Sequence, residues 1–392
     1  MATNSSSWTS VQEFLQDGDR QAIACFDQVN WDQLCRIASD ANHSMQCVAL
    51  DQITSGFNNI VRLLEFSDMS RWAAPIPTIR SQCPSSHGKI LQNEIATMRF
   101  IQENSSLRVP HVFAYDTDVN NAANAAFMLI EILPGIVAMD ALGGHQVHGG
   151  VIPMEYRKTF YQSVAECHQL TAVGPDDVFA TSKNRNHRPI PGIGGPFDTA
   201  AAFFEAWADK ATFQLDRETI TQMMQRGPLS AEDMVKIIDV FPSQIKSMAR
   251  RLPLHNKGPF PLCHDDFLHS NIMVDEGSFK VTGVIDWEGA CTVPWGLIAY
   301  PEFIQVMPRS FDLPEHYDQD GQPLKESVKE KWRERRDYVE MVKTAEGEDS
   351  LLSTALGSNL NQALAYSYGA FTTGKLGFFD RVAAELEKGT SA

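Results

Sequence analysis

The stretch CHDDFLHSNIMVDEGSFKVTGVIDWEG, residues 263 to 289, constrains the fold more than any other part of the chain. It carries acids, two histidines and an asparagine through runs of Ile, Met and Val that read as core. NIMVDEGSFKVTGVID fits a small hairpin that turns around Glu276 and Gly277. Asn271 opens its first strand and Asp286 closes its second, so the two stand at the open ends, which a hairpin brings together. Asp266 lies five residues before Asn271, on a loop that leads into the hairpin.

An amide oxygen beside a carboxylate is a hard-donor pair suited to Mg²⁺, with water and phosphate completing the shell. A second carboxylate beside such a site, Asp266, can orient a hydroxyl and accept its proton. Each residue also has a plainer reading. Asp266 can cap a turn, His264 can brace the loop, and Glu288 can either support the site or cap. Asp275, Glu276 and Lys280 flank the turn and are expected in solvent, as is His269. A different chemistry would use His264, Asp265, Asp266 and His269 as a transition-metal hydrolase site. A helical histidine pair needs a spacing of four; these two are five apart, and no further histidine cluster lies nearby.

At 392 residues the chain is long enough for two lobes, and 43% apolar residues are enough for a sizeable core. The formal net charge of -16 and the lack of a Lys/Arg tract argue against a nucleic-acid partner. KEKWRERRDYVEMVK mixes both signs and reads as an exposed helix. The start, MATNSSSW, lacks the pattern of a secretory signal, and the most apolar window (125 to 142) is interrupted by Glu131, Pro134 and Asp140. Seven scattered cysteines without a CxxC fit reduced thiols. A cytoplasmic protein without a membrane partner is expected; the oligomeric state cannot be read.

The first 20 or so residues read as a loose tail with a short helix, and 26 to 41 as amphipathic. CVALDQI, NIVRLLEF and RWAAPIP read as three antiparallel strands, followed by a helix over 88 to 104. HVFAYDT and AAFMLIEIL read as two more strands, and Pro134-Gly135 ends the sheet. Helices dominate beyond residue 150, with Pro153 suited to a first helical position and Asp198 and Ser230 to N-caps. Residues 182 to 198 read as a surface loop; its GIGG does not follow a strand, which weakens a phosphate-binding reading. The expected fold class is therefore α+β: a tail (1–25), a first lobe (26–135) with a five-stranded antiparallel sheet and one helix, and a mostly helical second lobe (136–392) with one hairpin.

HDDFLHSN and IDWEG together have the protein-kinase layout of a loop Asp, an Asn five residues on and a later Asp. The sequence resembles the aminoglycoside phosphotransferase and choline kinase-like family, especially its fungal-type members. His264, Asp266, Asn271, Ile285, Asp286, Trp287 and Glu288 match that family's pattern, while Asp265 stands where Gly is usual. SGFNN, the NE of the helix and MLIEILPG extend the likeness, over an estimated 30 to 380. The resemblance implies a two-lobe, protein-kinase-like fold, and ATP and Mg²⁺ as cofactors. It implies a phosphotransferase acting on a hydroxyl of a small molecule, such as a natural product, an amino alcohol or an aminocyclitol. Asp266 would be catalytic, Asn271 and Asp286 would hold the metal, and His264 and Glu288 would give structural support. Gly56, Phe57 and Asn58 would form the turn over the phosphates, and the backbone around Glu131 to Leu133 would meet adenine. AYPEFIQ and NQALAYSYGAFTTG are candidate acceptor-binding segments, although Tyr366, Tyr368 and Phe371 read rather as core.

Glu94 falls on one helical face with Leu91, Met98 and Ile101, so its carboxylate needs a partner. The resemblance implies a cation on the third strand, within W-x-x-R/K-x-P. Here the strand reads WAAPIP, and Pro75 takes the cation's place. Such a pair is worth about 4 kcal/mol at an effective dielectric typical near a protein surface. Lost wholly at the transition state, that would cost about a thousandfold in rate. Proline also implies an edge or distorted strand. Arg62, Arg71, Arg80 or Lys89 can substitute, the enzyme can be slow, or the chain can be a repurposed member that binds or transforms a small molecule between its lobes.

Overall fold

The computed structural model describes residues 8–390 except 79–83, 145–146, 148–150, 172–192, 226, 265 and 349, with the side chains of 84–87 and 170 also left aside. Arg80, Asp265, Cys83 and most of the 182 to 198 loop therefore lie outside the described residues. The chain divides into two units, Met1–Ser163 with His264–Ala290, and Val164–Cys263 with Cys291–Ala392.

In the first unit, β1 (Cys47–Ser55), β2 (Asn59–Phe66) and β3 (Arg71–Pro77) form an antiparallel meander. β4 (Val112–Asp116) and β5 (Phe127–Glu131) complete a five-stranded sheet in the order β1-β2-β3-β5-β4. The α+β class and this sheet agree with the sequence reading. Three short helices precede the sheet: α1 (Val11–Asp17), α2 (Arg20–Gln28) and α3 (Trp31–Ala41). The 26 to 41 stretch is thus two helices, because Asn30 caps α3 by accepting from the Gln33 N–H. The stretch read as a tail bridges Thr9 to Ile53 and buries Phe14 in the sheet core with Leu34, Ala38, Ile60, Leu64 and Phe127. After β3 comes α4 (Pro84–Asn104), which buries Leu91, Ile95, Met98 and Ile101 on one face.

Pro75 does not make β3 an edge: β3 lies between β2 and β5. Nor does it distort the strand's register with β2, which is unbroken from Arg71 to Pro77; it is the other ladder that is short. The strand's pairing with β5 covers only Trp72↔Glu131 and Ala73↔Ile130 and stops before Pro75, whereas pairing with β2 runs on to Pro77. A residue without an N–H is tolerated in an interior strand where one ladder has already ended.

A two-residue strand β6 (Ile136–Val137) follows Gly135 and pairs with the hairpin strand Ile272–Val274, which pairs in turn with Val281–Val284. Helix α5 (Met154–Leu170) starts just after Pro153. In the second unit the helices Ala200–Lys210, Ala231–Met248, Asn359–Thr372 and Phe379–Thr390 share an aromatic core. There Trp207 meets Phe371 edge-on at 5.6 Å and Phe241 meets Phe379 at 4.9 Å. Phe371 is buried, and Tyr368 packs on Trp207 at 5.1 Å, as their core reading expected. Ser230 caps its helix as expected; at Ala200–Lys210 the cap is Thr199 rather than Asp198, since the Thr199 hydroxyl accepts from the Ala202 N–H. No helix among the described residues is long and apolar enough to cross a membrane. The six described cysteines are thiols.

One buried group in the second unit ties stability to pH. His168 Nδ1 lies 3.1 Å from the Tyr338 hydroxyl, and burial lowers its pKa from 6.5 to about 4. The unfolded chain takes up this proton first, so acid favours unfolding. The stabilisation is complete above pH 6.5 and is lost as pH falls toward 4, about 3 kcal/mol in all. Urea unfolding across that window should give a steeper loss for wild type than for His168→Gln; parallel curves would remove His168 from the acid response.

Candidate active site

The hairpin brings its two ends together by backbone geometry. Beyond the Ile272↔Val284 pair, the Ile285 N–H donates to the Asn271 carbonyl at 2.9 Å, so the residue before Asp286 is bonded to Asn271. Asn271 is buried. Its side-chain nitrogen donates to the Asp266 main-chain oxygen at 2.9 Å and to Asp266 Oδ2 at 3.1 Å. With the nitrogen engaged there, the amide oxygen is what Asn271 has left to offer. The carboxylates of Asp266 and Asp286 both belong to exposed residues, so a ligand can reach them.

His264 locks the loop from beneath. The Asp266 N–H donates to its Nδ1 at 3.2 Å, which puts the imidazole proton on Nε2, and Nε2 donates to the Ile285 carbonyl at 2.9 Å. One ring thus ties the loop to the segment before Asp286, and Trp287 packs against it at 4.6 Å. Both ring nitrogens being occupied, His264 has none to give a metal, which takes it out of the hydrolase reading. Among the described residues no group of three or more His, Cys, Asp or Glu side chains gathers as a metal site. His269, expected in solvent, is half-buried, and its carbonyl accepts from the Met139 N–H at 3.1 Å. Asp275, Glu276 and Lys280 are exposed as expected; Asp275 accepts from the Ser278 hydroxyl and N–H, which holds its carboxyl below the usual range.

Asp286 has a φ of +61°, a left-handed conformation uncommon outside glycine. Such strain costs on the order of 1–3 kcal/mol and persists only where neighbours hold it. On its N-terminal side hold Asn271 and His264. On its C-terminal side hold two carboxamides: Asn58 donates to Glu288 Oε1 at 3.2 Å, and Asn93 of α4 donates to the Ala290 carbonyl at 3.1 Å.

Asn58 belongs to the β1–β2 turn, whose Gly56 has ordinary φ and open space: an added Cβ would meet only Asn59 O, at 3.9 Å. Nothing in the chain itself demands glycine there. Beside it Phe57 is 65% exposed, a large apolar side chain that the fold leaves in solvent.

Leu133 lies against the same hairpin, and Glu131 ends β5 just before it. The Glu131 carboxylate pairs with Arg108 at 2.9 Å, and its N–H donates to the His111 carbonyl at 2.8 Å. A nucleotide held here would have to use the Glu131 carbonyl or the backbone beyond it. Leu133 is buried over Gly283, where an added Cβ would come within 2.5 Å of Leu133 Cδ1 and 2.9 Å of the Arg108 carbonyl. Gly135, at φ +106°, passes so close that a Cβ would lie 2.3 Å from Val274 O.

The cation question resolves in part. Glu94 is buried, 5% exposed, and is not without a partner. Arg62 is engaged elsewhere: it donates to the Leu50 carbonyl at 2.9 Å and stacks over Trp31 at 4.8 Å. Arg71 pairs with Glu65 at 2.6 Å. Lys89 is exposed, and Arg80 lies outside the described residues.

Sequence reasoning missed Asn93, Arg108 and Gly283. Asn93 was visible as the N of the NE pair on α4, but an exposed-looking amide gives no hint of a carbonyl 197 positions later. A glycine within a hairpin strand was a signal of close approach that could have pointed to residue 283.

A model of the phosphotransferase enzyme family matches residues 52–296, more than half of the chain. Solved structures similar to it include the aminoglycoside phosphotransferase APH(3'')-Id of Streptomyces rimosus, 12% identical, covering 84% of this chain and 98% of that one with a TM-score of 0.39. That enzyme is also known in complex with ADP and streptomycin. An ethanolamine kinase of Plasmodium vivax is 14% identical, with 97% and 93% covered and a TM-score of 0.42. The macrolide 2'-phosphotransferase MphH of Brachybacterium faecium is 13% identical, with 92% and 97% covered and a TM-score of 0.39. Likenesses this distant assign no role to any residue. No curated protein matches the sequence.

The His264 brace has a direct consequence. His264→Phe keeps a ring of similar shape but leaves the Asp266 N–H and the Ile285 carbonyl unpaired, which should cost about 2 kcal/mol or more. Chemical unfolding measures it, and an unchanged midpoint would show that the two bonds carry no weight.

Proposed function

Because the chain belongs to the phosphotransferase enzyme family, we propose that it transfers the γ-phosphate of ATP, with Mg²⁺, to a hydroxyl of a small molecule. The acceptor classes that fit are natural products, amino alcohols and aminocyclitols. The observation that carries this reading is the bonded group of Asp266, Asn271 and the Ile285–Asp286 turn at the mouth of one hairpin.

The donor chemistry fits magnesium. Asn271 offers an amide oxygen and Asp286 a carboxylate, both hard ligands, and only these two would come from the chain. A magnesium ion held there would supply positive charge against the phosphate oxygens. Asp266 does the proton work: its exposed carboxylate accepts the hydroxyl proton and turns the oxygen toward the phosphate. Its other task, accepting from the Asn271 amide, keeps that amide's oxygen turned outward. The open space at Gly56 supports close approach of the turn's backbone to the phosphates, with Phe57 alongside.

The same reading makes 26–135 the nucleotide-clamping part and 136–392 the part with the catalytic loop and acceptor-binding helices. It has the protein acting in the cytoplasm, without nucleic-acid or membrane partners. The formal net charge of -16 favours the approach of a cationic acceptor.

One observation favours a second reading, a repurposed member that has lost phosphoryl transfer and binds or transforms a small molecule. Pro75 supplies no cation, and Arg62 and Arg71 are committed to other partners. Nucleotide binding separates the two. Mg-ATP at a hundred times its Kd should stabilise the protein by about 2.7 kcal/mol, read as a rise in Tm. Asp286→Ala should abolish the magnesium-dependent part of that rise. Asp266→Asn should keep it while lowering turnover by about 10²–10⁴-fold. No rise at millimolar Mg-ATP would select the second reading.

A further inference from the structure

We propose that Asn58 and Asn93 are positioning residues, a two-sided carboxamide clasp that holds the Asp286–Ala290 segment and sets where the Asp286 carboxylate stands. The inference rests on the reading of Asp286 as the metal-holding carboxylate and goes beyond it by naming what fixes that residue.

The segment has reason to need holding. Asp286 is non-glycine at φ +61°, and Gly289, three residues on, is at φ +75°. Two left-handed residues in so short a stretch leave the backbone after Asp286 without a regular ladder. Trp287 anchors inward, with its indole N–H donating to the Val284 carbonyl at 3.1 Å. Of the residues that follow, the Ala290 N–H donates to the Trp287 carbonyl at 3.1 Å, and the two side chains named add holds from outside the segment. Asn58 reaches from the β1–β2 turn to Glu288 Oε1 at 3.2 Å. Asn93 reaches from α4 to the Ala290 carbonyl at 3.1 Å. The contacts join positions 230 and 197 residues apart, so neither is a local turn contact.

The chemistry of the clasp explains the residue type. A carboxamide donates without a charge, so Asn58 can sit on a carboxylate while leaving Glu288's charge beside the metal-holding group. Asn93 addresses a main-chain oxygen, so it reads the path of the segment and not a side chain. Position 75 of β3 is a proline and offers no charge toward α4, and Arg71 is paired with Glu65. Asn93, one residue before buried Glu94, makes a tie between α4 and the segment. The same clasp joins the turn that would cover the phosphates to the segment that would hold their counter-ion, so nucleotide and metal binding become coupled.

The test uses the full chain and three variants: Asn58→Asp, Asn93→Asp and the double exchange Asn58→Asp/Glu288→Gln. Asn58→Asp sets a carboxylate against Glu288, and Asn93→Asp sets one against the Ala290 carbonyl. The double exchange restores the first hydrogen bond with donor and acceptor reversed. Hydrogen exchange of the peptide spanning 284–291, in nucleotide-free protein, should quicken about tenfold in each single variant and return toward wild type in the double. Calorimetry should show Mg-ATP bound about tenfold more weakly by Asn93→Asp, which lies outside the turn over the phosphates, with ATP in the absence of magnesium bound as by wild type. Unchanged exchange in the single variants overturns the clasp. So does a loss of ATP binding in Asn93→Asp that is equal with and without magnesium, which would mark a general structural defect. If wild type binds no Mg-ATP, the proposed function fails, and the exchange data still decide whether the clasp holds the segment.

Discussion

The side-chain nitrogen of Asn271 is the bond on which the rest of the site depends. A buried amide that donates twice to Asp266 fixes both the loop's main chain and its carboxylate. It also fixes which end of the amide points outward, and a swapped amide would present a donor where the proposed cation would need an oxygen. Around it His264 bonds to both flanks, so loop and hairpin end behave as one piece. Carboxylates do not gather without cause, since like charges repel. Here Asp266 is offset by a neutral donor, and Asp286 is kept in reach by backbone strain held on both sides.

That arrangement answers why acids run through an apolar stretch. The hairpin strands bury Ile272, Met273, Val274 and Val284, and the acids sit at its ends and its turn. The hairpin is in turn packed against the segment after β5, where Gly283 and Gly135 admit Leu133 and Val274 at distances no side chain would allow. Apolar packing sets the height of the strands, and hydrogen bonds at the ends aim the polar groups.

Much of the fold was legible in advance. The apolar runs of β1 to β5, the turn residues between them and the face of α4 carried their elements within a few residues. So did the pairing of Asn271 with the Asp286 end, because a hairpin's register follows from its turn. Other features were not legible. Thr199 rather than Asp198 caps its helix, since adjacent residues of equal capping ability are told apart only by where the chain bends. Pro75 was read as a signal of an edge or a distorted strand, yet β3 is interior and in unbroken register with β2, because the ladder to β5 ends early and a single sequence does not reveal where a ladder stops. The partner of Glu94 was not legible either, as long cationic side chains have many reachable partners.

The sequence by itself determined the element types, the apolar faces and the spacing of Asp266, Asn271 and Asp286, because these follow from local periodicity and from chain geometry over a few residues. Tertiary structure alone decided the histidine tautomer, the strained φ of Asp286, the commitments of Arg62 and Arg71, and the reach of Asn58 and Asn93 across some two hundred residues. Those depend on which groups meet after the chain has closed on itself, and a hydrogen bond has no sequence signature until its donor and acceptor are brought within about 3 Å.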